Sequence, residues 1–226
     1  MPRIECSEAM EYVFEFAAKS GLDGSYLEFG TYMGASFVQA HQAYTRWLDW
    51  AESARAGQNP AVPPEAARMQ RHPMWAFDSF AGLPELASAD VHPGYRFVSS
   101  GLFAFSEDQF LARLRENGMD SGVVRTVPGW FDQVLTPETR NELGLGTAMV
   151  VNIDCDLYSS AVPVLQFIQP LLEDGSVLMF DDFLLYRGDP RFGVRRAFRE
   201  WLEQSGMTAE PYMQYGWAGR VFLIYR

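Results

Sequence analysis

Lysine is almost missing: among 226 residues the single one is Lys19. Lysine-based chemistry therefore has almost nowhere to sit. Cations as a whole are scarce, 18 Lys and Arg against 29 Asp and Glu, for a formal net charge of -11. Phosphate backbones and anionic membrane surfaces require clustered cations, so neither nucleic acid nor membrane is an expected partner. Two cysteines, Cys6 and Cys155, are too few and too ill-spaced for a disulfide framework or a zinc site. No apolar run approaches the roughly 18 residues of a membrane span, and the opening Met-Pro-Arg-Ile-Glu-Cys has no signal-peptide core. A cytoplasmic location is expected. What is abundant is core material, 48% hydrophobic and 15% aromatic, which argues against disorder. The length suits one α/β domain.

Apolar positions alternate between helical periods and short buried runs, the signature of a parallel sheet with crossover helices. Strands are expected at 25–30, 74–79, 123–128, 148–153 and 176–180, with 211–215 and 220–226 as an antiparallel edge hairpin. The runs at 148–153 and 176–180 are nearly all apolar, as strands covered on both faces are. Helices are expected from Ser7 to near Gly21, from about Gly34, and over 159–173 and 193–205. Two more start at Ser106, whose capping box is completed by Gln109, and at Thr136-Pro137. Residues 51–73, with Pro60, Pro63 and Pro64, read as a helix extension and a surface loop. Residues 80–105, rich in Phe, Tyr, Gly and Pro, are too long for a plain connector and read as a lid over a binding site. No domain boundary is visible, so 1–226 is expected to be one domain with an N-terminal helical segment over 1–22.

The turn after the first strand carries Gly30 and Gly34, at the strand-to-helix corner where open α/β sheets bind nucleotides. Tyr32 stands at the middle glycine of the dinucleotide fingerprint, so the turn is either a ligand cradle or a plain helix start. Asp78 ends the second strand and suits either a ribose diol or a turn cap with Ser79. Asp154, Asp156, Asp181 and Asp182 end two buried strands. Packed together they would repel one another unless a cation neutralised them, and oxygen ligands favour Mg²⁺. The alternatives are helix caps, with Asp156 before Tyr158-Ser159-Ser160, or a paired-carboxylate glycosidase. Trp130 either flanks an adenine ring or belongs to the core. His92 reads as a bystander, Cys155 as no nucleophile, and Arg191, Arg195, Arg196 and Arg199 as a solvated helix face.

Taken together, L-E-F-G-T-Y-M-G-A-S (27–36), F-D-S-F-A-G-L-P-E (77–85), V-P-G-W-F (127–131), I-D-C-D-L-Y-S-S (153–160) and F-D-D-F (180–183) resemble the macrocin O-methyltransferase family. The motifs stand in order over about residues 20–205, and the first is also similar to that of catechol O-methyltransferase. The resemblance implies a Rossmann-like class I methyltransferase fold: a mostly parallel seven-stranded sheet, helices on both faces and an antiparallel C-terminal strand. It implies an S-adenosylmethionine- and Mg²⁺-dependent O-methyltransferase acting on a small hydroxylated acceptor, a sugar or a tailored natural product. The donor site would comprise Glu28, Gly30, Thr31, Tyr32, Gly34 and Ser36 at the methionine end. Asp78 and Ser79 would hold the ribose, and Gly129, Trp130 and Asp154 complete the donor site. Asp154, Asp181 and Asp182 look like the metal ligands and Asp156 like the general base. Catechol-type enzymes place a lysine base one residue further on; here that residue is Leu157, which favours Asp156. Residues 1–20 and 46–73 match nothing in the family, which leaves acceptor identity and homo-oligomer contacts open. A non-catalytic donor-binding module and a metal-independent N- or C-methyltransferase are the competing classes. The acidic set argues against the first, and a chelator separates the second.

Overall fold

A computed structural model describes residues 4–59, 62, 67–96, 98–120 and 122–226. Pro60, Pro63, Pro64 and Phe97 lie outside the described residues. Strands β1 (Ser25–Phe29), β2 (Met74–Asp78), β3 (Val124–Pro128), β4 (Ala148–Ile153), β5 (Val177–Phe180), β6 (Thr208–Tyr215) and β7 (Gly219–Tyr225) form one sheet. Its order is β3-β2-β1-β4-β5-β7-β6. Strands β1 to β5 pair in parallel, and β7 runs antiparallel to both β5 and β6. The expected class I architecture is therefore observed, with the closing hairpin folded so that β7 lies inside and β6 at the edge. Pro211 and a register shift between Pro211 and Met213 interrupt β6, which blunts an edge that would otherwise offer a continuous row of donors.

Around the sheet lie α1 (Cys6–Lys19), α2 (Ala35–Arg55), α3 (Glu107–Glu116), α4 (Phe131–Val134), α5 (Pro137–Glu142), α6 (Tyr158–Ile168) and α7 (Gly193–Ser205). Two start signals act as written: Ser106 and Gln109 close a capping box, and Thr136 accepts from the Thr139 amide ahead of Pro137. The helix expected over 159–173 stops at Ile168 and tightens into a 3-10 turn over Gln169–Leu171, where Pro170 has no N–H to give. Helix α4 was not anticipated, since four residues are too few to display a period.

Side chains alternate across the strands. Tyr26, Met74 and Ala76 join α1, α2 and α3 in one apolar cluster. Leu27, Phe29, Trp75 and Phe77 join α6 and α7 in another on the opposite face. No helix among the described residues is long and apolar enough to cross a membrane.

Candidate active site

The register of the sheet assembles the site. Beyond each strand end, the next backbone N–H still donates across to the neighbouring strand. Gly129 donates to Asp78 O, Gly30 to Phe77 O and Asp154 to Phe29 O, each at 2.9 Å, and Asp181 to Ile153 O at 3.2 Å. Residues far apart in sequence are thereby set side by side along the carboxyl edge, where open α/β sheets form their crevice. A cavity of about 470 Å³ lies there, within the range of small-molecule sites. Gly30, Tyr32, Asp78, Ser79, Gly129 and Trp130 line it, as do Asp154, Asp156, Asp181 and Asp182.

The glycine turn is built for close approach. Gly30 has φ +86°, and a Cβ there would fall 1.8 Å from the Asp154 carbonyl oxygen, so only glycine lets β1 and β4 end so near each other. Asp78 fastens the turn: Oδ2 accepts from the Thr31 amide at 2.6 Å, the Thr31 hydroxyl at 3.2 Å and the Tyr32 amide at 3.2 Å. Its Oδ1 accepts from the Phe80 amide at 2.8 Å, so Asp78 caps its own turn and still faces the cavity. Ser79 donates to Gly82 O at 2.8 Å and accepts from Ala81 N. Thr31, Glu28, Gly34 and Ser36 stand behind the turn rather than in the cavity wall. Glu28 is fully buried, accepting from Ser36 Oγ at 2.6 Å and from the Tyr26 hydroxyl. Burial pushes its carboxyl up to about 7, although Ser36, Tyr26 and Asn152 pull the other way.

One carboxylate oxygen from each of Asp154, Asp181 and Asp182 lies within 4.8 Å of the others. Burial, then repulsion from Asp181 and Asp182, holds Asp154 well above the usual carboxylate range. Burial, then Asp156 and Asp181, does the same to Asp182. Burial raises Asp181, against the Tyr215 hydroxyl beside it. Burial, then Asp181, raises Asp156 to about 6, with an Asp182 hydrogen bond opposing. Three convergent hard oxygens, each destabilised as an anion, fit a divalent cation in both number and type. Both members of each acid pair lie past their strand ends, and Asp156 has φ +56°. Alternation along a regular strand, which would set Asp154 and Asp156 on one side, therefore does not place them.

Asp156 does not cap α6; Asp90, buried in the 80–105 segment, accepts from the Ser159 amide at 3.1 Å and its hydroxyl at 2.7 Å. His92, expected as a bystander, lies outside the cavity wall, and its Nδ1 accepts from the Gly94 amide at 3.0 Å. The arginines of α7 are only partly solvated: Arg196 sits 4.1 Å over the Tyr158 ring and Arg195 5.7 Å over Phe183. Cys155 is no nucleophile, since burial and nearby carboxylates raise its thiol pKa far above 9.0. Leu83 and Phe103 of the wall fall in the segment expected as a lid, whereas Phe131 and Ser159 carry no expected role. Nothing local marks them, because their neighbours in space are distant in sequence.

The chain is 26% identical over 198 residues to the 8-demethyl-8-(2,3-dimethoxy-alpha-L-rhamnosyl)-tetracenomycin-C 4'-O-methyltransferase of Streptomyces olivaceus, covering 82% of this chain and 65% of that protein. It is 23% identical over 209 residues to the mycinamicin III 3''-O-methyltransferase of Micromonospora griseorubida, covering 89% and 69%. Thus the chain spans just under two thirds of the tetracenomycin relative. In fold it is similar to the O-methyltransferase NovP, with a TM-score of 0.73, 20% identity, and 97% of this chain and 79% of that chain covered. Residues 64–222 match the family described as Macrocin-O-methyltransferase (TylF), and the chain belongs to that family.

Proposed function

We propose that the chain acts as one S-adenosylmethionine- and Mg²⁺-dependent O-methyltransferase domain whose acceptor is a sugar hydroxyl on an uncharged natural-product glycoside. The observation that carries the reading is the convergence of Asp154, Asp181 and Asp182 in the same cavity as Asp78 and the Gly30 turn. Gly30, Thr31, Tyr32 and Gly34 would form the turn at the methionine end, stiffened from behind by Glu28 and Ser36. Asp78 and Ser79 would face the ribose, while Gly129 and Trp130 flank the adenine. Asp154, beside the donor, would hold the cation with Asp181 and Asp182. When bound, S-adenosylmethionine supplies an electrophilic methyl group and the cation supplies Lewis acidity that lowers a hydroxyl pKa. Asp156, which lines the same cavity, would then take the acceptor proton. Leu83 and Phe103 line the cavity and would help to keep water from the acceptor.

The charge of the wall favours a neutral acceptor. Among the described residues that line it, seven are Asp or Glu, including Glu85 and Asp132, and none is Lys or Arg. A diphosphate-linked sugar would meet these carboxylates with no lining Lys or Arg to balance it, leaving the one bound cation to do so. The tetracenomycin relative, whose name specifies a rhamnosyl acceptor, supports a glycoside.

The test is S-adenosylhomocysteine formation from a panel of rhamnosides, with and without chelator. Turnover that Mg²⁺ restores after chelation, and that Asp181→Asn abolishes, is expected. Asp156→Asn should still bind Mg²⁺ by calorimetry while losing turnover. Full activity in chelator would remove the metal from the reading.

A further inference from the structure

Asp156 is the one acid of the site whose backbone is forced. It has φ +56°, and across it the Leu157 amide donates to Cys155 O at 2.5 Å. This is a γ-turn with a positive central φ, a conformation that L residues adopt only when the surroundings over-determine it. The Asp156 amide donates to the Asp182 carboxylate, and two sets of packing contacts constrain the turn further. On one side Leu157, fully buried, is sunk into a small apolar cluster with Val98, Leu185 and Tyr186, against which Leu83, Tyr95 and Phe192 pack. On the other side stands Gly193, the first residue of α7, at φ +57°. A Cβ on Gly193 would lie 2.7 and 2.8 Å from Tyr186 Cε2 and Cδ2, and 3.3 Å from the Asp156 carbonyl oxygen. The Tyr186 ring, the Gly193 backbone and the Asp156 carbonyl therefore meet with no room for one extra carbon.

The ring is wedged as well. Tyr186 is stacked on Phe192 at 6.0 Å and tilted against Tyr95 at 5.2 Å. Its hydroxyl is buried and has no hydrogen-bond partner among the described residues, so the ring, and not the oxygen, is what the fold uses there.

We propose that Tyr186 and Gly193 are positioning residues that hold Asp156 in its left-handed turn, so that its carboxylate faces the acceptor. The inference rests on the reading of Asp156 as the base. Relaxation of the turn toward ordinary negative φ would swing the carboxylate off the cavity while leaving the Gly30 turn and Asp78 untouched. The donor half of the site and the base are thus held by separate devices.

The experiment compares Gly193→Ala, Tyr186→Leu and Tyr186→Phe with Asp156→Asn. Each is crystallised with S-adenosylhomocysteine and assayed for S-adenosylhomocysteine formation on 4-nitrophenyl α-L-rhamnopyranoside. In Gly193→Ala the added methyl displaces the ring, and in Tyr186→Leu the wedge is lost without a clash. Both are expected to move Asp156 out of positive φ and to lower kcat by about tenfold or more, with S-adenosylhomocysteine affinity held within about twofold. Tyr186→Phe keeps the ring and should retain both the turn and turnover within about threefold. A structural role alone would lower stability without this split between kcat and donor binding. Retention of positive φ at Asp156 in both Gly193→Ala and Tyr186→Leu overturns the proposal. So does wild-type kcat in those variants beside an inactive Asp156→Asn. An active Asp156→Asn would instead remove the base reading, and the inference with it.

Discussion

At the scale of single residues, Glu28 shows how a motif residue can serve a site it does not touch. It is fully buried, and through Ser36 and Tyr26 it braces the start of α2 and strand β1. Burial raises its carboxyl from 4.5 to about 7. The folded protein thus binds this proton more tightly than the unfolded chain does. The stability this contributes is fully present below the unfolded value and is lost as pH rises through about 7. Glu28→Gln, neutral throughout, should therefore gain on the wild type as pH rises, the gap opening roughly between pH 5 and 8. Denaturant midpoints measured across that range check it, and parallel curves would mean that Glu28 is charged in the folded state. Asp78 works differently, since its side chain holds the Thr31 and Tyr32 amides while its edge stays in the cavity. The acid at this strand end thus takes the turn-cap role, and its cavity edge is where the proposed ribose contact would lie.

At the scale of elements, the 80–105 segment is fastened rather than loose. Asp90, 1% exposed, accepts two hydrogen bonds from Ser159 at the start of α6. His92 packs edge-on to Phe192 at 4.6 Å. Asp90→Ala strips the α6 N-terminus of its cap and should cost about 1–2 kcal/mol. Hydrogen exchange of residues 83–96 should quicken, with S-adenosylhomocysteine affinity little changed and acceptor KM raised. Unchanged exchange would mean that the aromatic contacts alone hold the segment. This anchorage also marks the limit of what the chain discloses by itself. The all-apolar runs of β4 and β5, the capping box of α3 and the Thr136-Pro137 start are local chemistry, so they were legible. So were the acids at 154, 156, 181 and 182, because parallel strands deliver their ends to one edge. Asp90 capping a helix 69 residues away, Tyr186 against Gly193, and the short helix α4 are set by tertiary contact, which no local pattern encodes.

At the scale of the whole molecule, the site is held at a cost to the fold. A chain of net charge -11 gathers four more-than-half-hidden aspartates at one sheet edge; burial raises every one of them, and repulsion from neighbouring carboxylates adds to it at Asp154, Asp156 and Asp182. Without a cation, removal of one of those charges in nearly the same shape should relieve the repulsion. Asp182→Asn is therefore expected to raise the thermal midpoint of chelator-treated protein, at roughly 2–4 °C per kcal/mol for chains of this size. The balance reverses when Mg²⁺ is added. A cation that binds only the folded wild type adds stability by mass action, about 2.7 kcal/mol at a hundredfold excess over Kd, whereas the variant, short of one ligand, should gain little. The two melting series should thus cross: the variant above the wild type in chelator, and the wild type rising toward or past it in Mg²⁺. Such a crossing would be the stability counterpart of a site kept for function rather than for the fold. A variant that is less stable in chelator and shifts with Mg²⁺ as the wild type does would instead make the acids a structural cluster. The cation would then have to be sought elsewhere.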